Sequence, residues 1–474
     1  MDKRFPSDFV FGTSISAFQT EMGTSKRSRF PGTDWYVWAN DPDLKKNGLV
    51  SGNKPQNGDG FWDRYLEDFH NAEKLGTNAI RMSIEWGRLF PTDTFGIEAE
   101  FRRNEKGEPI DFSLTRNNLD NLIAISDNEA VDHYLEMFKA ARKAGLKVFL
   151  TLYHWPLPVW LHDPIRSHKD ISKSSKKGWL DIRTIEEFAK FSAFAREKFD
   201  DCTFSWETIN EPEVIATNGY LFGDTSGFPP GLSSIPLTFQ VERNLALAHN
   251  LAYRELKKGG REVGIGTAPP YFEAGNDDPK TIEVKEMARY ISNEWILNAA
   301  VLGKFDNDLD GTAEEIMEGF GGADYIGIDY YMRLVVKHSE NQLYGGALPL
   351  EFERCRDCSD FGWDIYPDGI REVSKWIYEK YRRPIYILEN GIADSRDRKR
   401  GKYITSHLSS LSDAINVDNI PVKGYFHWSL IDNFEWAKGY SMRFGLYKVN
   451  YKTKVRTMRD SASIYARICR EKGL

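Results

Sequence analysis

Several features that mark particular protein classes are scarce in this sequence of 474 residues. It contains four cysteines, of which only Cys355 and Cys358 form a close C-x-x-C pair, too few for a secreted disulfide framework or a four-ligand zinc site. It has no run of about 20 apolar residues, and its first residues lack the apolar core of a signal peptide. We therefore expect a cytoplasmic protein without a membrane span, in which the cysteine pair has no dedicated role.

An excess of charge of one sign is also missing. The 63 lysines and arginines nearly balance the 70 aspartates and glutamates, for a net charge of −7. A mildly acidic chain is a poor ligand for nucleic acid or an anionic membrane, and neither is expected as a partner. Aromatic residues, in contrast, make up 14% of the chain. Flat aromatic faces suit sugar binding, although a large aromatic core explains the same composition.

Apolar, β-branched runs alternate with helical patterns along the chain. The runs cover residues 9–16, 78–86, 147–155, 203–212, 263–274, 323–331, 384–391 and 422–434. Amphipathic patterns predict helices over residues 131–145, 185–199, 239–259, 282–303, 368–381 and 403–417. Eight strands alternating with helices predict an α/β protein with a closed (β/α)8 TIM barrel, rather than a doubly wound open sheet. Because no Gly-, Ser- and Pro-rich linker divides the chain, we expect a single domain over residues 1–474, with an irregular excursion at about 91–127.

Polar and aromatic residues gather at the carboxyl ends of the expected strands. In chain order they are Gln19, Arg81, His154, Trp155, Asn210, Glu211, Tyr331, Glu389, Asn390 and Trp428. In a barrel these ends converge on one pocket. Glu389 follows the apolar stretch IYIL and Glu211 follows WETIN, and a carboxylate buried in such a strand is costly unless it is paired. Each alone could be a structural ion, but the two on strands four and seven together predict a carboxylate pair across a cleft.

Paired carboxyl groups beside aromatic side chains are typical of glycoside hydrolysis. One carboxylic acid protonates the leaving oxygen, and the other carboxylate either attacks the anomeric carbon or activates a water molecule, depending on the distance between the two. A barrel with another chemistry, such as a metal-dependent isomerase, needs several metal ligands at the strand ends, and His154 is the only histidine there. We therefore expect a hydrolase with no metal and no other cofactor.

Two stretches around these glutamates resemble the signature motifs of glycoside hydrolase family 1. They are TINEP at residues 208–212 and ILENG at residues 387–391. The resemblance continues through FPSDFVFGTSISAFQTEMG, RMSIEWGRLFP, TLYHWPLPVWL, IGIDYY and SLIDNFEWAKGYSMRFGLYKVNYKT. The stretches TDWYVWANDP and FEWAKGYSMRFGL are most similar to the β-glycosidases of thermophilic archaea. The chain thus resembles this family over nearly its whole length.

The resemblance implies a retaining exo-β-glycosidase that removes terminal β-D-galactosyl and β-D-glucosyl units from β-linked oligosaccharides and aryl β-glycosides. It implies that Glu389 is the nucleophile and that Glu211 is the acid and then the base. The residues implied in substrate binding are Gln19, Arg81, His154, Trp155, Asn210, Tyr331, Trp428, Glu435 and Trp436. Besides these small carbohydrates, the expected partner is a further copy of the chain, in a dimer or tetramer.

Two residues depart from the family pattern. Leu388 stands where Thr or Ser is usual, a packing change beside Glu389, and Asp329 stands where Asn is usual. An additional carboxyl group near the pair raises the pKa of one of its members, so Asp329 bears on the pH optimum more than on the activity. The alternatives are β-mannosidase or β-fucosidase activity on the same scaffold, or a non-catalytic sugar-binding relative, although such a relative would be expected to have lost one glutamate.

Overall fold

Eight parallel strands close into a barrel at the centre of the molecule. The computed structural model describes residues 3–23, 25–317, 319–340 and 348–474. The barrel strands, numbered in chain order, are β1 (Val10–Ser14), β2 (Ala79–Ser83), β3 (Lys147–Tyr153), β4 (Ser205–Ile209), β5 (Glu262–Thr267), β6 (Tyr325–Asp329), β7 (Ile385–Asn390) and β8 (Val422–Trp428). Each strand pairs with its neighbours in sequence, and β8 closes the ring against β1. The expected (β/α)8 TIM barrel is therefore confirmed, and the open sheet is excluded.

The barrel strands are apolar because both of their faces are covered. Every residue of β2, β4 and β7 is buried, as expected for a parallel sheet with helices outside and side chains inside. Rings meet across the interior, where the centroids of Phe149 and Phe426 are 4.8 Å apart. Leu388 belongs to the same apolar cluster and covers Gly327, where an added Cβ would lie 2.3 Å from Leu388 Cδ1. Burial of a leucine contributes about 1.5–3 kcal/mol, so Leu388 is a packing residue, as expected.

A helix follows each barrel strand and covers the outside of the sheet. These helices are α1 (Phe61–Lys74), α2 (Asn128–Lys143), α3 (Ile182–Phe199), α4 (Ile235–Lys257), α5 (Trp295–Leu302), α6 (Asp368–Tyr381), α7 (Arg400–Asn416) and α8 (Asp460–Glu471). Capping side chains fix where some of them begin: Asp127 accepts a hydrogen bond from the Ala130 amide before α2, and Asp181 accepts one from the Arg183 amide before α3. Within the described ranges, no helix has both the length and the apolar character needed to cross a membrane.

Shorter elements occupy the connections. The helical segments are Ala17–Thr20, Asp34–Asn40, Pro42–Lys46, Pro55–Asn57, Trp86–Leu89, Arg116–Ala124, Pro164–Lys169, Ile171–Lys173, Gly178–Leu180, Asp200–Cys202, Pro212–Ala216, Thr217–Leu221, Gly223–Ser226, Pro279–Arg289, Tyr290–Glu294 and Trp436–Lys438. The outer strands form one three-stranded sheet of Tyr271–Ala274, Arg333–His338 and Leu350–Phe352, and three pairs: Glu100–Arg103 with Pro109–Ser113, Lys304–Phe305 with Glu315–Ile316, and Tyr447–Val449 with Arg456–Met458.

The excursion at 91–127 is not irregular, contrary to expectation. It contains an antiparallel hairpin, in which Phe101 pairs with Phe112, followed by the helix Arg116–Ala124. The two Phe rings stack at a centroid distance of 5.9 Å. The hydrophobic pattern of the sequence does not predict this hairpin, because its first strand is almost entirely exposed to solvent and has no alternation of apolar residues. The helix expected over 282–303 is likewise interrupted, by a π-helical turn at Tyr290–Glu294.

The cysteine pair also differs from expectation. Cys355 and Cys358 are joined by a disulfide in the connection between β6 and β7. Asp364 organises the same loop, because its carboxylate accepts hydrogen bonds from the amides of Arg356 and Asp357 at 3.0 and 3.2 Å. A C-x-x-C spacing does not reveal whether the two Cβ atoms point toward each other, which is what a disulfide requires.

Candidate active site

A cavity of about 410 Å³ lies at the carboxyl ends of the barrel strands. Its wall includes ten of the residues expected at the site: Gln19, His154, Trp155, Asn210, Glu211, Tyr331, Glu389, Trp428, Glu435 and Trp436. Arg81 is behind this wall, in contact with Glu389. Asn390 faces away, and its amide donates to the Tyr330 carbonyl at 2.6 Å and to the Tyr403 hydroxyl at 2.9 Å. The structure thus brings the expected residues together, apart from Asn390.

The backbone around Glu211 is held in an unusual conformation. Glu211 has φ 47° in the left-handed region, and the helix Pro212–Ala216 begins directly after it. Proline suits the first helical position because its missing N–H has no partner there. Trp155 and Trp436, at φ 86° and 46°, line the same cavity. Non-glycine residues in this region are strained and concentrate at functional sites, so the backbone itself marks this end of the barrel.

Arg81 on β2 connects the buried acidic groups. Its Nε and Nη2 donate to the two carboxylate oxygens of Glu207 at 2.8 and 3.0 Å. Its Nη1 donates to Ser14 Oγ at 3.0 Å and contacts Glu389, and its Nη2 also contacts the Asn210 side-chain oxygen. The bidentate pair fixes the plane of the guanidinium. Arg81 therefore holds Glu389 and Asn210 in place at one edge of the cavity.

The two glutamates are close, but their surroundings differ. Carboxylate oxygens of Glu211 and Glu389 lie within 4.8 Å of each other. Glu389 is bound by Arg81 and by the Tyr331 hydroxyl, which donates to it at 2.5 Å. Burial raises the pKa of Glu389, and Arg81 and Tyr331 oppose this rise. The pKa of Glu211 is raised well above its usual value, because burial is reinforced by the charge of Glu389.

This asymmetry separates the protonation states of the pair. Glu389 has a cation and a hydroxyl donor that stabilise its charged form, whereas no ion pair to Glu211 is present in the described part of the chain. Two interacting carboxyl groups titrate as a unit, and the first proton leaves the better stabilised member. When the pair holds a single proton, that proton therefore lies on Glu211 and the negative charge lies on Glu389.

The rest of the wall offers hydrogen-bonding groups to a ligand. Asn210 Nδ2 is 3.3 Å from His154 Nε2, and the other ring nitrogen of His154 has no partner among the described residues. Burial and the nearby Arg81 place the pKa of His154 well below its usual value, so the ring is neutral. Gln19 Nε2 donates to Glu435 at 3.3 Å, and burial followed by the charge of Glu389 raises the pKa of Glu435 to about 8.

Aromatic rings form the other part of the wall. Trp155 and Trp436 have centroids 4.5 Å apart, and Trp428 is parallel to the His154 ring within 13° at 6.2 Å. Apolar ring faces beside hydrogen-bonding groups match the alternation of C–H and O–H groups on a sugar.

Among the site residues that sequence reasoning missed, one carboxylate and two aromatic residues stand out. Glu207 is a buried carboxylate inside β4, and the cost of burial that singled out Glu211 and Glu389 would also have found it. Phe361 and Trp363 reach the cavity from the connection that holds the disulfide, and their rings stack at 4.1 Å. No periodic pattern indicates that this loop folds back over the barrel.

Among the residues that the structure describes, two groups of carboxylates are close enough to share a cation. The first consists of Glu211, Asp329 and Glu389, where Arg81 already supplies a positive charge. The second consists of Asp306, Asp308, Asp310 and Glu314, none of which lines the cavity. The expectation of a reaction without a metal stays a prediction.

A closed (β/α)8 barrel with a carboxyl pair and aromatic rings at its carboxyl end is the arrangement expected of a glycoside hydrolase. The model of glycosyl hydrolase family 1 matches residues 1–107 and 124–474, and the chain belongs to this family. The gap in the match falls within the excursion at 91–127. Retention of configuration is general to the family, so the expected class, a retaining glycoside hydrolase, is confirmed.

Individual relatives agree with the expected subgroup. A β-galactosidase from Saccharolobus solfataricus is 39% identical over 472 residues, which cover 98% of this chain and 94% of that one. The crystal structure of the β-glycosidase from the hyperthermophile Thermosphaera aggregans has a TM-score of 0.92 at 36% identity, covering 99% of this chain and 98% of that one. A β-glucosidase mutant described as derived from a hyperthermophilic tetrameric structure has a TM-score of 0.88 at 36% identity, covering 99% and 96% of the two chains. The similarity to β-glycosidases of thermophilic archaea is confirmed.

Proposed function

We propose that this protein is an exo-β-glycosidase that hydrolyses terminal β-D-galactosides and β-D-glucosides, with Glu389 as the nucleophile and Glu211 as the acid and base. The observation that carries the proposal is the distance of at most 4.8 Å between their carboxylate oxygens. Retaining enzymes hold the pair about 5–5.5 Å apart, whereas inverting enzymes need about 6.5–9.5 Å to admit a water molecule. We propose that residues 1–474 act as a single catalytic domain.

The two steps follow from the protonation states. In the first, a carboxylate oxygen of Glu389 attacks the anomeric carbon while Glu211 gives its proton to the glycosidic oxygen. The bond to that oxygen breaks, the alcohol leaves, and the sugar is esterified to Glu389. In the second, Glu211 takes a proton from water, the water oxygen attacks the same carbon, and Glu389 departs. Two inversions retain the configuration.

The remaining residues divide between positioning and sugar binding. Arg81 and Tyr331 stabilise the charge of Glu389 and orient it. The hydroxyl groups of the sugar meet Gln19, His154, Asn210 and Glu435, and its ring faces meet Trp155, Trp428 and Trp436. A cavity of about 410 Å³ accommodates a chain end rather than a polymer passing through, which supports exo action.

The stereochemistry of the product tests the assignment. We expect proton NMR to show the β-anomer as the first sugar released from nitrophenyl β-galactoside and from nitrophenyl β-glucoside, because both displacements occur at one carbon. Mutarotation later interconverts the two anomers, so the spectra recorded early in the reaction show which anomer the enzyme releases. Early appearance of the α-anomer contradicts a covalent intermediate on Glu389.

The charge of Glu435 leads to a prediction about which sugars the site excludes. Above a pH of about 8 this buried carboxyl is ionised, and it then repels a 6-phosphate. Lys438, also in the wall, is one lysine beside this carboxyl and makes a weak phosphate site. Since like charges in contact cost several kcal/mol, we expect nitrophenyl β-glucoside to be cleaved faster than its 6-phosphate, by a factor that grows as the pH rises above about 8 and Glu435 ionises.

The variants Glu435→Gln and Glu435→Ser separate charge from shape in this comparison. Both remove the charge, but only glutamine keeps the side-chain length and hydrogen bonding. We expect the ratio of the two rates to shrink in both variants, while turnover of the unphosphorylated glucoside falls less in the glutamine variant. Faster cleavage of the phosphorylated substrate by the parent enzyme contradicts this reading of Glu435.

We also propose that the enzyme is a homo-oligomer in the cytoplasm. The tetrameric origin described for the 36% identical β-glucosidase supports the assembly. The molar mass from light scattering decides between the 54.5 kDa monomer and its multiples.

A further inference from the structure

Asp329 is a buried carboxyl group for which the proposed reaction has no use. It is the last residue of β6, and the register of the sheet places it opposite Glu389 on β7. It lines the cavity and is only 1% exposed. Neither of its carboxyl oxygens has a hydrogen-bond partner in the described part of the chain. A buried carboxylate without a partner is costly, so this group needs a proton, a ligand or both.

The charges around Asp329 leave it without a cation of its own. They are Arg81 on β2, Glu207 and Glu211 at β4 and Glu389 on β7, beside the uncharged Tyr331 and His154. Arg81 Nη2 is 4.0 Å from Asp329 Oδ2, too far for a hydrogen bond. The guanidinium is already committed to Glu207 and Glu389. An ionised Asp329 would therefore place a second uncompensated negative charge within 4.8 Å of the catalytic pair.

We propose that Asp329 is a positioning residue that carries a proton in the resting enzyme and donates an O–H hydrogen bond to whichever catalytic glutamate is charged. This proposal rests on the proposed roles of Glu211 and Glu389. With one proton on Asp329 and one on Glu211, the three carboxyl groups carry a single negative charge, on Glu389, beside Arg81. The distance limit of 4.8 Å among all three lets a side-chain rotation bring the Asp329 hydroxyl to either glutamate.

The negative charge moves during the reaction, and Asp329 is near both of its positions. In the resting enzyme the charge is on Glu389. In the glycosyl-enzyme Glu389 is an ester, and the charge is on Glu211 until Glu211 takes a proton from water. Asp329 donates to Glu389 in the first state and to Glu211 in the second, and its own proton is not transferred, so the stoichiometry of the reaction is unchanged.

Burial and charge both favour the protonated form of Asp329. Burial is the main reason that its pKa is well above the usual value, the charge of Glu389 raises the pKa further, and Arg81 only partly opposes this. When Asp329 does ionise at alkaline pH, its charge makes the proton of Glu211 harder to remove. Asp329 therefore extends activity on the alkaline side, whereas the acid side, where Asp329 stays protonated, is set by Glu389.

The variant Asp329→Asn tests this, because the amide keeps the shape and a hydrogen-bond donor but cannot ionise. The measurement is the pH profile of kcat/KM, which reports the free enzyme. A β-linked disaccharide such as cellobiose is the substrate, since its sugar leaving group needs the proton of Glu211. We expect the alkaline midpoint to fall by about one pH unit and the acid midpoint to stay unchanged. The variant Asp329→Ser, which cannot ionise either, should show the same alkaline shift at a lower rate.

Asp59→Asn is the matched control. Asp59 is also fully buried, and neither of its carboxyl oxygens has a hydrogen-bond partner among the described residues, but it is not in the cavity wall. We expect it to leave both midpoints in place. Two results overturn the proposal: unchanged midpoints in both Asp329 variants, which leaves Asp329 a merely structural role, or a fall of both midpoints, which means that Asp329 is ionised at rest. Either result in an enzyme that still forms the β-anomer leaves the proposed function intact.

Discussion

Replacing Glu389 by glycine is expected to remove nearly all turnover, with a loss on the order of 10⁴- to 10⁶-fold, the range for loss of a covalent nucleophile. The carboxylate at this position has Arg81 and Tyr331 as donors and faces the cavity, as the attacking group of the first step must. The measurement is the initial rate with nitrophenyl β-glucoside, followed by release of nitrophenol.

Small anions should restore part of the lost turnover, and the anomer of the product then identifies the role of Glu389. Glycine leaves a space where the carboxylate was, and azide placed there attacks the anomeric carbon from the same side. The protonated Glu211 still assists departure of the leaving group. Because azide displaces this group in a single step, one inversion occurs and the product is the α-glycosyl azide. Activity near the parent level without azide, or a β-glycosyl azide as the product, contradicts the assignment of Glu389.

Glu213→Gln provides the control for this experiment. Glu213 is two residues from Glu211 and buried, but its carboxylate accepts from the Thr267 hydroxyl at 2.7 Å and does not line the main cavity. We expect turnover of this variant to stay within several-fold of the parent, with no response to azide. A loss as large as that of Glu389→Gly would mean that removing any buried carboxylate here disables the enzyme.

The barrel was predictable because its strands leave a strong sequence pattern. Strands buried on both faces are near-continuous apolar runs, and a polar residue at their ends is conspicuous for that reason. The glutamates at β4 and β7 stood out against such runs, and the closed barrel brought them together. The distance between the two glutamates could be obtained only from the structure. This distance decides whether the second carboxylate acts as a nucleophile or as a base.

What escaped prediction depends on contacts that sequence patterns do not encode. The hairpin Glu100–Arg103 with Pro109–Ser113 has mostly exposed or half-buried residues, so it shows no apolar alternation. Glu207 is detectable in the sequence as a carboxylate within an apolar strand, but its role becomes clear only from its contact with Arg81, which reaches it from β2. Trp363 reaches the cavity through a loop whose path is set by Asp364 and the disulfide, which are tertiary features.

Replacing Glu211 by alanine should have an effect that depends on the leaving group. General acid catalysis contributes roughly 10²–10⁴-fold, or about 2.7–5.4 kcal/mol of barrier, but only where the departing oxygen needs a proton. Cellobiose, whose sugar leaves as a poor anion, should lose this full factor in kcat/KM. Dinitrophenyl β-glucoside, whose phenolate leaves without help, should lose less than about 10-fold in the first step.

The second step distinguishes Glu211 from Glu389 by the time course of the reaction and by the anomer of the product, in addition to the rate. In Glu211→Ala the nucleophile is intact, so dinitrophenyl β-glucoside still forms the glycosyl-enzyme, but water attacks it slowly because no base takes its proton. A burst of phenolate followed by slow turnover is the expected time course. Azide needs no base and should speed turnover while giving the β-glycosyl azide, the opposite anomer to that from Glu389→Gly. If the two variants give the same azide anomer, or if cellobiose and the dinitrophenyl substrate lose rate equally, Glu211 is not the acid and base that its raised pKa and its position opposite Glu389 indicate.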